Sequence, residues 1–246
     1  MQQNPKLKKS IVFLLLAINA IVYGQYPTVR ERINNLPNFD ERPIHYGYFI
    51  GINQYDFRID YVGDYYRING YDDIEVIPKK GFNIGMIGDL RINQFLSLRL
   101  EPGLYYSQRD LFYPDLPEFK SEQDRLREIK STYIHLPLYL KVNAKRINNF
   151  RPFLLFGVST DFNLSSNFKN IDDNTTGVFR TINQTLNYEI GLGFEFYLFY
   201  FKFTPSIRGI FSFENELVPD NDTNSPWTRH LTNLFSRGLA INITFE

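Results

Sequence analysis

Three histidines, His45, His135 and His230, are the residues best suited to proton or metal chemistry in a chain that has no cysteine. No two are close enough in sequence to suggest a metal pair. His135 lies on the polar face of an alternating segment, where a hydroxyl such as Ser107 or Ser159 would complete a hydrolase dyad. The competing reading is a histidine hydrogen-bonded within a packed polar ladder, and the polar neighbours favour it. Asp72-Asp73 and Asp172-Asp173 carry the oxygen ligands a divalent cation takes, although solvated loops have the same composition. Asn174-Thr175-Thr176 matches a glycosylation sequon, and Trp227 beside Pro226 has the character of an interfacial anchor. No glycine-rich phosphate loop is present, and no catalytic, metal or cofactor site is expected. Without cysteine there is no disulfide, thiolate metal site, thiol nucleophile or lipoprotein anchor. Lys+Arg and Asp+Glu balance at 27 each, which removes the basic surface that nucleic acid requires.

The elements that would position these residues are strands. Aromatic residues make up 17% of the chain, 17 Tyr and 23 Phe among them, a composition that suits half-buried pleated surfaces and interfacial girdles. After Gly24 no window reaches the roughly 18 unbroken apolar residues of a membrane helix. Period two dominates instead. In Lys80–Ile92, Phe82, Ile84, Met86, Leu90 and Ile92 share one face, with Asn83, Asp89 and Arg91 opposite. Leu96–Arg109, Tyr133–Asn143, Asn187–Leu198, Phe201–Phe213 and Leu234–Phe245 repeat the pattern. Phe150–Leu164 begins apolar on both faces, and Tyr46–Tyr61 changes phase near Asn53, the mark of a bulge. These segments predict eight strands.

The connections between them alternate long and short. Val62–Lys79, Asp110–Ser131, Ser165–Leu186 and Glu214–Asn233 are long; Asn93–Phe95, Ala144–Asn149 and Leu198-Phe199 are short. That asymmetry is the pattern of an all-β, eight-stranded antiparallel up-and-down transmembrane β-barrel, with short periplasmic turns and long extracellular loops. A soluble barrel would turn its apolar face inward and show no such bias. Residues 1–24 read as a cleaved signal peptide: Lys6, Lys8 and Lys9, an apolar run from Ile11 to Ala20, and Val22-Tyr23-Gly24 before Gln25. An uncleaved anchor is the alternative, but the run is short for about 30 Å of hydrocarbon. Residues 25–45 then form a periplasmic N-terminal extension and 46–246 the barrel, placing the protein in the outer membrane with both termini periplasmic.

Residues directly across a tight hairpin share a face. A two-residue turn at Leu198-Phe199 sets Glu195 opposite Lys202 and Glu189 opposite Arg208. A three-residue turn at Asn93–Phe95 sets Asp89 opposite Arg99. An eight-stranded barrel has room inside for side chains only, and buried charges must be paired. The spacing therefore predicts a plugged, salt-bridged lumen and no open pore. The ending Ile243-Thr244-Phe245-Glu246, with its penultimate aromatic, resembles a barrel-insertion signal.

The segment ahead of the first strand is distinctive. Asn35-Leu36-Pro37-Asn38-Phe39-Asp40, continuing through Glu41-Arg42-Pro43-Ile44-His45-Tyr46-Gly47, with Asn53 and Asp56-Phe57, resembles the opening of the PorT family, called SprT in gliding bacteria. Tyr133-Ile134-His135-Leu136-Pro137-Leu138 and Gly191-x-Gly193-x-Glu195-Phe196-Tyr197 are similar to signatures shared by many Bacteroidetes-type barrels, with His135 where an acidic residue is expected. The resemblance spans the mature chain. It implies an accessory component of the type IX secretion system, which exports proteins carrying C-terminal signal domains and supports gliding motility. It implies other subunits of that system and outer-membrane lipid as partners, and no catalytic residues. A generic outer-membrane barrel acting as an adhesin or small-ligand receptor is the main alternative. A lipid-modifying barrel enzyme using His135 is the third.

Overall fold

Alternation of apolar and polar residues produces strands here because each strand has two different environments to satisfy, lipid on one side and a crowded lumen on the other. The computed structural model describes residues 33–63, 65–166 and 179–246, with Tyr65 by its backbone. Its strands are β1 (Ile44–Tyr61), β2 (Glu75–Arg91), β3 (Leu96–Leu100), β4 (Gly103–Phe112), β5 (Leu126–Asn143), β6 (Phe150–Asn163), β7 (Gln184–Tyr197), β8 (Lys202–Ser212) and β9 (Leu231–Phe245). Two one-turn helices, α1 (Tyr65–Ile68) and α2 (Glu122–Arg125), lie in the long connections. All pairings are antiparallel, and β1 closes the ring against β9. Strands β3 and β4 occupy one ring position, since both pair with β2 on one side and β5 on the other. The break falls at Glu101-Pro102, where proline has no N–H to give the ladder. The ring therefore has eight positions.

The outward face is apolar over a continuous band. Ile50, Ile52, Ile84, Met86, Leu138, Phe156, Ile190, Leu192 and Ile241 are all exposed. A continuous outward apolar band on a ring of strands is the surface a transmembrane barrel presents to lipid. The inward face is buried and largely polar, with Asp89, Arg99, Glu101, His135, Lys141, Glu195, Lys202 and Arg208 among its members. Aromatic rings fill the rest by lying over glycines of neighbouring strands. Phe153 covers Gly193 and Tyr139 covers Gly157, each so closely that a Cβ on the glycine would collide with the ring.

Strand boundaries and register differ from the sequence reading in four places. First, β2, β4 and β5 run past the apolar band, so the first two long connections shrink to 62–74 and 113–125. Second, β1 has no bulge at Asn53. Its ladder with β9 runs unbroken from Tyr48↔Phe245 to Asp60↔Asn233. The change of phase is a change of surroundings: Gln54, Asp56 and Arg58 still point outward but above the band, while Tyr55 and Phe57 point into a core. Irregularities fall instead at Asp60/Tyr61 and at Lys79/Phe82. Third, β1 begins at Ile44, which places His45 within the barrel wall. Fourth, Leu198 N–H donates to Phe201 at 3.0 Å, so Phe199-Tyr200 is the turn centre. Lys202 therefore lies across from Tyr197, and Glu189 from Ile210. A two-residue slip preserves every side-chain face, so the same residues point into the lumen in either register.

At the long-loop end the lumen opens into an apolar core of Phe57, Leu111, Tyr113, Phe179, Trp227 and Leu234. Trp227 is buried there, its Nε1 donating to Asp124 O at 3.0 Å, and it is not an interfacial anchor. Residues Asn35–Glu246 form one compact unit. The signal peptide, Asp172-Asp173 and the Asn174 sequon lie outside the described residues. Asp72 and Asp73 are exposed, and no cluster of three metal-ligating residues occurs among the described residues.

Candidate functional site

The lumen near the short-turn end holds five buried or half-buried cations, Arg99, Lys141, Arg151, Lys202 and Arg208, against five carboxylates, Asp40, Asp89, Glu101, Glu195 and Glu246. Asp89 lies directly opposite Arg99 on the β2–β3 ladder, with Arg99 Nε donating to Asp89 Oδ2 at 2.8 Å. Arg99 also reaches Glu246 Oε1 at 2.7 Å, across the closing seam of the barrel. Glu195 takes Lys202 at 2.9 Å, Lys141 at 2.5 Å and the Arg151 Nε. Thus Glu195 and Lys202 meet diagonally, although they are not directly opposed.

Glu189 and Arg208 are not partners. Arg208 turns across the lumen to Glu101 Oε2 at 2.5 Å, and its Nη1 donates to Tyr139 Oη at 2.8 Å. Glu189 accepts from the Tyr139 hydroxyl and faces His135 Nε2 at 3.1 Å. The slipped register separates the pair, and the narrow lumen brings each to a strand that is not its sequence neighbour. Glu101, Lys141 and Arg151 complete the network without having been paired from sequence. Glu101 and Lys141 carry a sequence signal, their place on the polar faces of Leu96–Arg109 and Tyr133–Asn143, whereas Arg151 lies where Phe150–Leu164 reads as apolar on both faces; hairpin arithmetic reaches only adjacent strands.

His135 is fully buried, with its Nδ1 on Asp161 and its ring 4.3 Å from that of Tyr105. Both ring nitrogens thus face carboxylates. Ser107 lies across from Ser131 and Ser159 across from Pro137, and it is Asp161 and Glu189, not a hydroxyl, that the two ring nitrogens of His135 face. Above this tier Arg109 donates to Ser236 Oγ at 2.7 Å and Tyr133 Oη at 2.6 Å, while stacking on Phe57 at 3.6 Å. The cavity enclosed by Asp89, Lys141, Lys202 and Arg151 is about 10 Å³, room for one water. Among the described residues, the inward side chains from Lys202 and Glu195 through His135 to Arg109 are all buried and pack the lumen.

Asn35–Asp40 close the short-turn end. Asn35 N–H donates to Asn149 Oδ1 and Asn35 Nδ2 to Tyr197 O, each at 2.9 Å. Leu36 adopts φ 48°, turning the chain inward, and a 3₁₀ turn at Phe39–Glu41 follows. Phe39 stacks on His45 at 4.5 Å and sits beneath Lys202 Nζ at 4.9 Å; its carbonyl accepts from His45 Nε2 at 2.7 Å. Asp40 accepts from Tyr197 Oη at 2.7 Å and pairs with Arg151 at 3.0 Å and Arg146 at 3.3 Å. Arg146 in turn stacks on Tyr197 at 3.6 Å and donates to Leu36 O at 3.3 Å. Leu36, Pro37 and Asn38 complete this strap. The motif read from sequence as an extension is a stopper built against the barrel.

A family model described as outer membrane protein beta-barrel domain matches residues 27–218. No curated protein matches the sequence. Among solved structures, OprG from Pseudomonas aeruginosa is similar at 13% identity over 82% of this chain and 92% of that one, with a TM-score of 0.41. Neisserial surface protein A is similar at 10% identity over 82% and 98%, with a TM-score of 0.39. Ail of Yersinia pestis, solved with a heparin analogue, shows 12% identity over 81% and 96%, with a TM-score of 0.35.

Proposed function

The chain belongs to the outer membrane protein beta-barrel domain family, and sits in the outer-membrane bilayer; from that premise we propose that it is an accessory, non-channel and non-enzymatic barrel of the type IX secretion system. It carries no cargo through itself and acts by contact with larger subunits or on their assembly. The observation that carries the reading is the Asn35–Asp40 segment. It is the part of the sequence that resembles the PorT family, and it seats Phe39 in the barrel mouth with Asp40 locked to Arg151. A filled lumen supports an accessory role, because a ring of eight strands stoppered by its own charges has no path for a polypeptide. Short turns on the periplasmic side would put the stopper in the periplasm and the Trp227 core outside.

Deleting the gene and assaying release of a cargo with a C-terminal signal domain tests the proposal. Loss of release, restored by the wild-type chain, is expected; unchanged release sinks it. The second reading, an adhesin or small-ligand receptor, is favoured by one observation, the packed core of Phe57, Tyr113 and Trp227 beneath the long loops. A rigid platform of that kind can present loops to a partner. Lost surface binding with intact secretion on gene deletion selects it.

A further inference from the structure

Among the described residues the ladder of the barrel wall does not run over its whole height. Strand β1 pairs with β2 from Ile44↔Leu90 up to Gln54↔Lys80 and stops, whereas its ladder with β9 continues to Tyr61↔Leu231. Beyond the irregularity at Lys79/Phe82, β2 follows β4 from Lys79↔Gln108 to Glu75↔Phe112. The two strands part, and a cleft of about 380 Å³ lies between them, lined by Phe57, Ile59 and Tyr61 on one wall and Ile74 and Val76 on the other, with the Ile74 N–H donating to Tyr61 Oη at 3.0 Å across its far end. Asp56, Arg58 and Arg237 stand at its rim, so it opens above the apolar band, toward water.

Backbone groups alternate sides along a strand. Pro43 C=O accepts from Arg91 N–H at 2.8 Å, which sets the odd-numbered residues of β1 toward β2. Tyr55, Phe57 and Ile59 therefore turn their N–H and C=O into the cleft, an edge of about 20 Å to Tyr61. The two edges are not alike. Met86 N–H donates to Pro102 O, so the even-numbered residues of β4 bond toward β2; their partners beyond the irregularity are Lys79 and Ile77, which leaves Pro78 turned to the cleft with no N–H to offer, a common device for blunting an edge. On β1 the Phe57 N–H is held by the Asp56 side chain, its Oδ1 at 2.8 Å, in place of a ladder partner.

We propose that this β1 edge is a docking site for an extended segment of another polypeptide, which adds as an antiparallel or parallel strand and displaces the Asp56 carboxylate from Phe57. Lipid supplies no row of alternating donors and acceptors, whereas an extended backbone does. The inference stands independently of the secretion reading.

The test uses the full chain in phosphatidylcholine nanodiscs, with an end-blocked eight-residue peptide of alternating Thr and Val as probe. Amide exchange at Ile59 should be about 100-fold faster than at Asn53 without peptide, and slowed to a similar rate with it. The same peptide N-methylated at alternate amides should give no protection. Asp56→Ala, which frees the Phe57 N–H, should tighten peptide binding by about 3–10-fold, the worth of one hydrogen bond. Protection of Ile59 before any peptide is added, equal binding of the N-methylated peptide, or no protection at millimolar peptide each overturns the proposal.

Discussion

Arg151 Nη2 lies 3.0 Å from Asp40 Oδ1 while its Nε reaches Glu195, so one guanidinium joins the stopper segment to the ionic network of the lumen. The planar fork of arginine makes this possible, because it presents donors along two edges at once. The stopper is thereby tied to the plug through one side chain. Two consequences separate them experimentally.

Asp40→Ala removes the acceptor shared by Tyr197, Arg146 and Arg151. Since the Asp40 side chain retains 23% exposure, the loss should be modest, about 1–2 kcal/mol. Amide exchange across Asn35–Glu41 should rise while β5–β7 stay protected. Equal loosening of the strands would show that the segment is part of the barrel's fold and not a stopper laid against it.

Glu195→Ala should be far more damaging, because it leaves Lys141 with Asp89, Lys202 with Glu246 and the buried network one negative charge short. Removing one partner of a buried ion pair costs about 3–5 kcal/mol. Urea titration of reversible folding in detergent micelles measures it. A loss no greater than that of Asp40→Ala would mean that water reaches the network.

The register correction is itself testable. Arg208 touches Glu101 and not Glu189, so a double-mutant cycle on Arg208→Met and Glu101→Gln should give a coupling of about 1.5–3 kcal/mol, and the cycle with Glu189→Gln clearly less. The reverse order would restore the directly opposed pair.

How the sequence came to misplace that pair is instructive. The faces were legible because lipid and lumen impose opposite chemistry on alternate residues, and Asp89 and Arg99 could be aligned because Asn93 marks their turn; its Oδ1 accepts from the Phe95 and Leu96 N–H groups at 2.8 and 2.9 Å. Leu198-Phe199-Tyr200-Phe201 has no such marker. Neither its centre nor its register is written locally, and a shift of two residues leaves every face unchanged. The stopper was invisible for a different reason. Asn35 and Asp40 bind residues more than a hundred positions away, and nothing in an alternation pattern encodes a segment folding back across a ring.

A filled lumen should not conduct. In planar bilayers the full chain is expected to show no large stable conductance, and Phe39→Ala should leave it silent, since the Glu195–Lys202 network lies deeper than the ring it removes. A steady ohmic conductance from the wild-type chain would contradict the plug and, with it, the accessory role.

The long-loop end should respond to acid through His230. Its Nε2 accepts from Arg229 Nε at 2.6 Å, and Tyr66 sits edge-on at 5.8 Å. Burial, reinforced by the Arg229 charge, holds the imidazole below its ordinary value, with Glu118 opposing weakly. The folded cap thus favours neutral histidine. Its contribution is intact above the unfolded value near 6.5 and is lost as pH falls below it. Glu216 acts with the opposite sign, since burial raises its carboxyl and favours the protonated acid in the fold. Comparing wild type with His230→Gln cancels that contribution. Trp227, the only tryptophan, reports the cap directly from the Tyr113–Trp227 contact, where Tyr113 Oη donates to its carbonyl at 2.9 Å. Between pH 7.5 and 5.5, about one unit either side of 6.5, wild-type emission should shift to the red, and the variant should shift less. Identical titrations would remove His230 from the account.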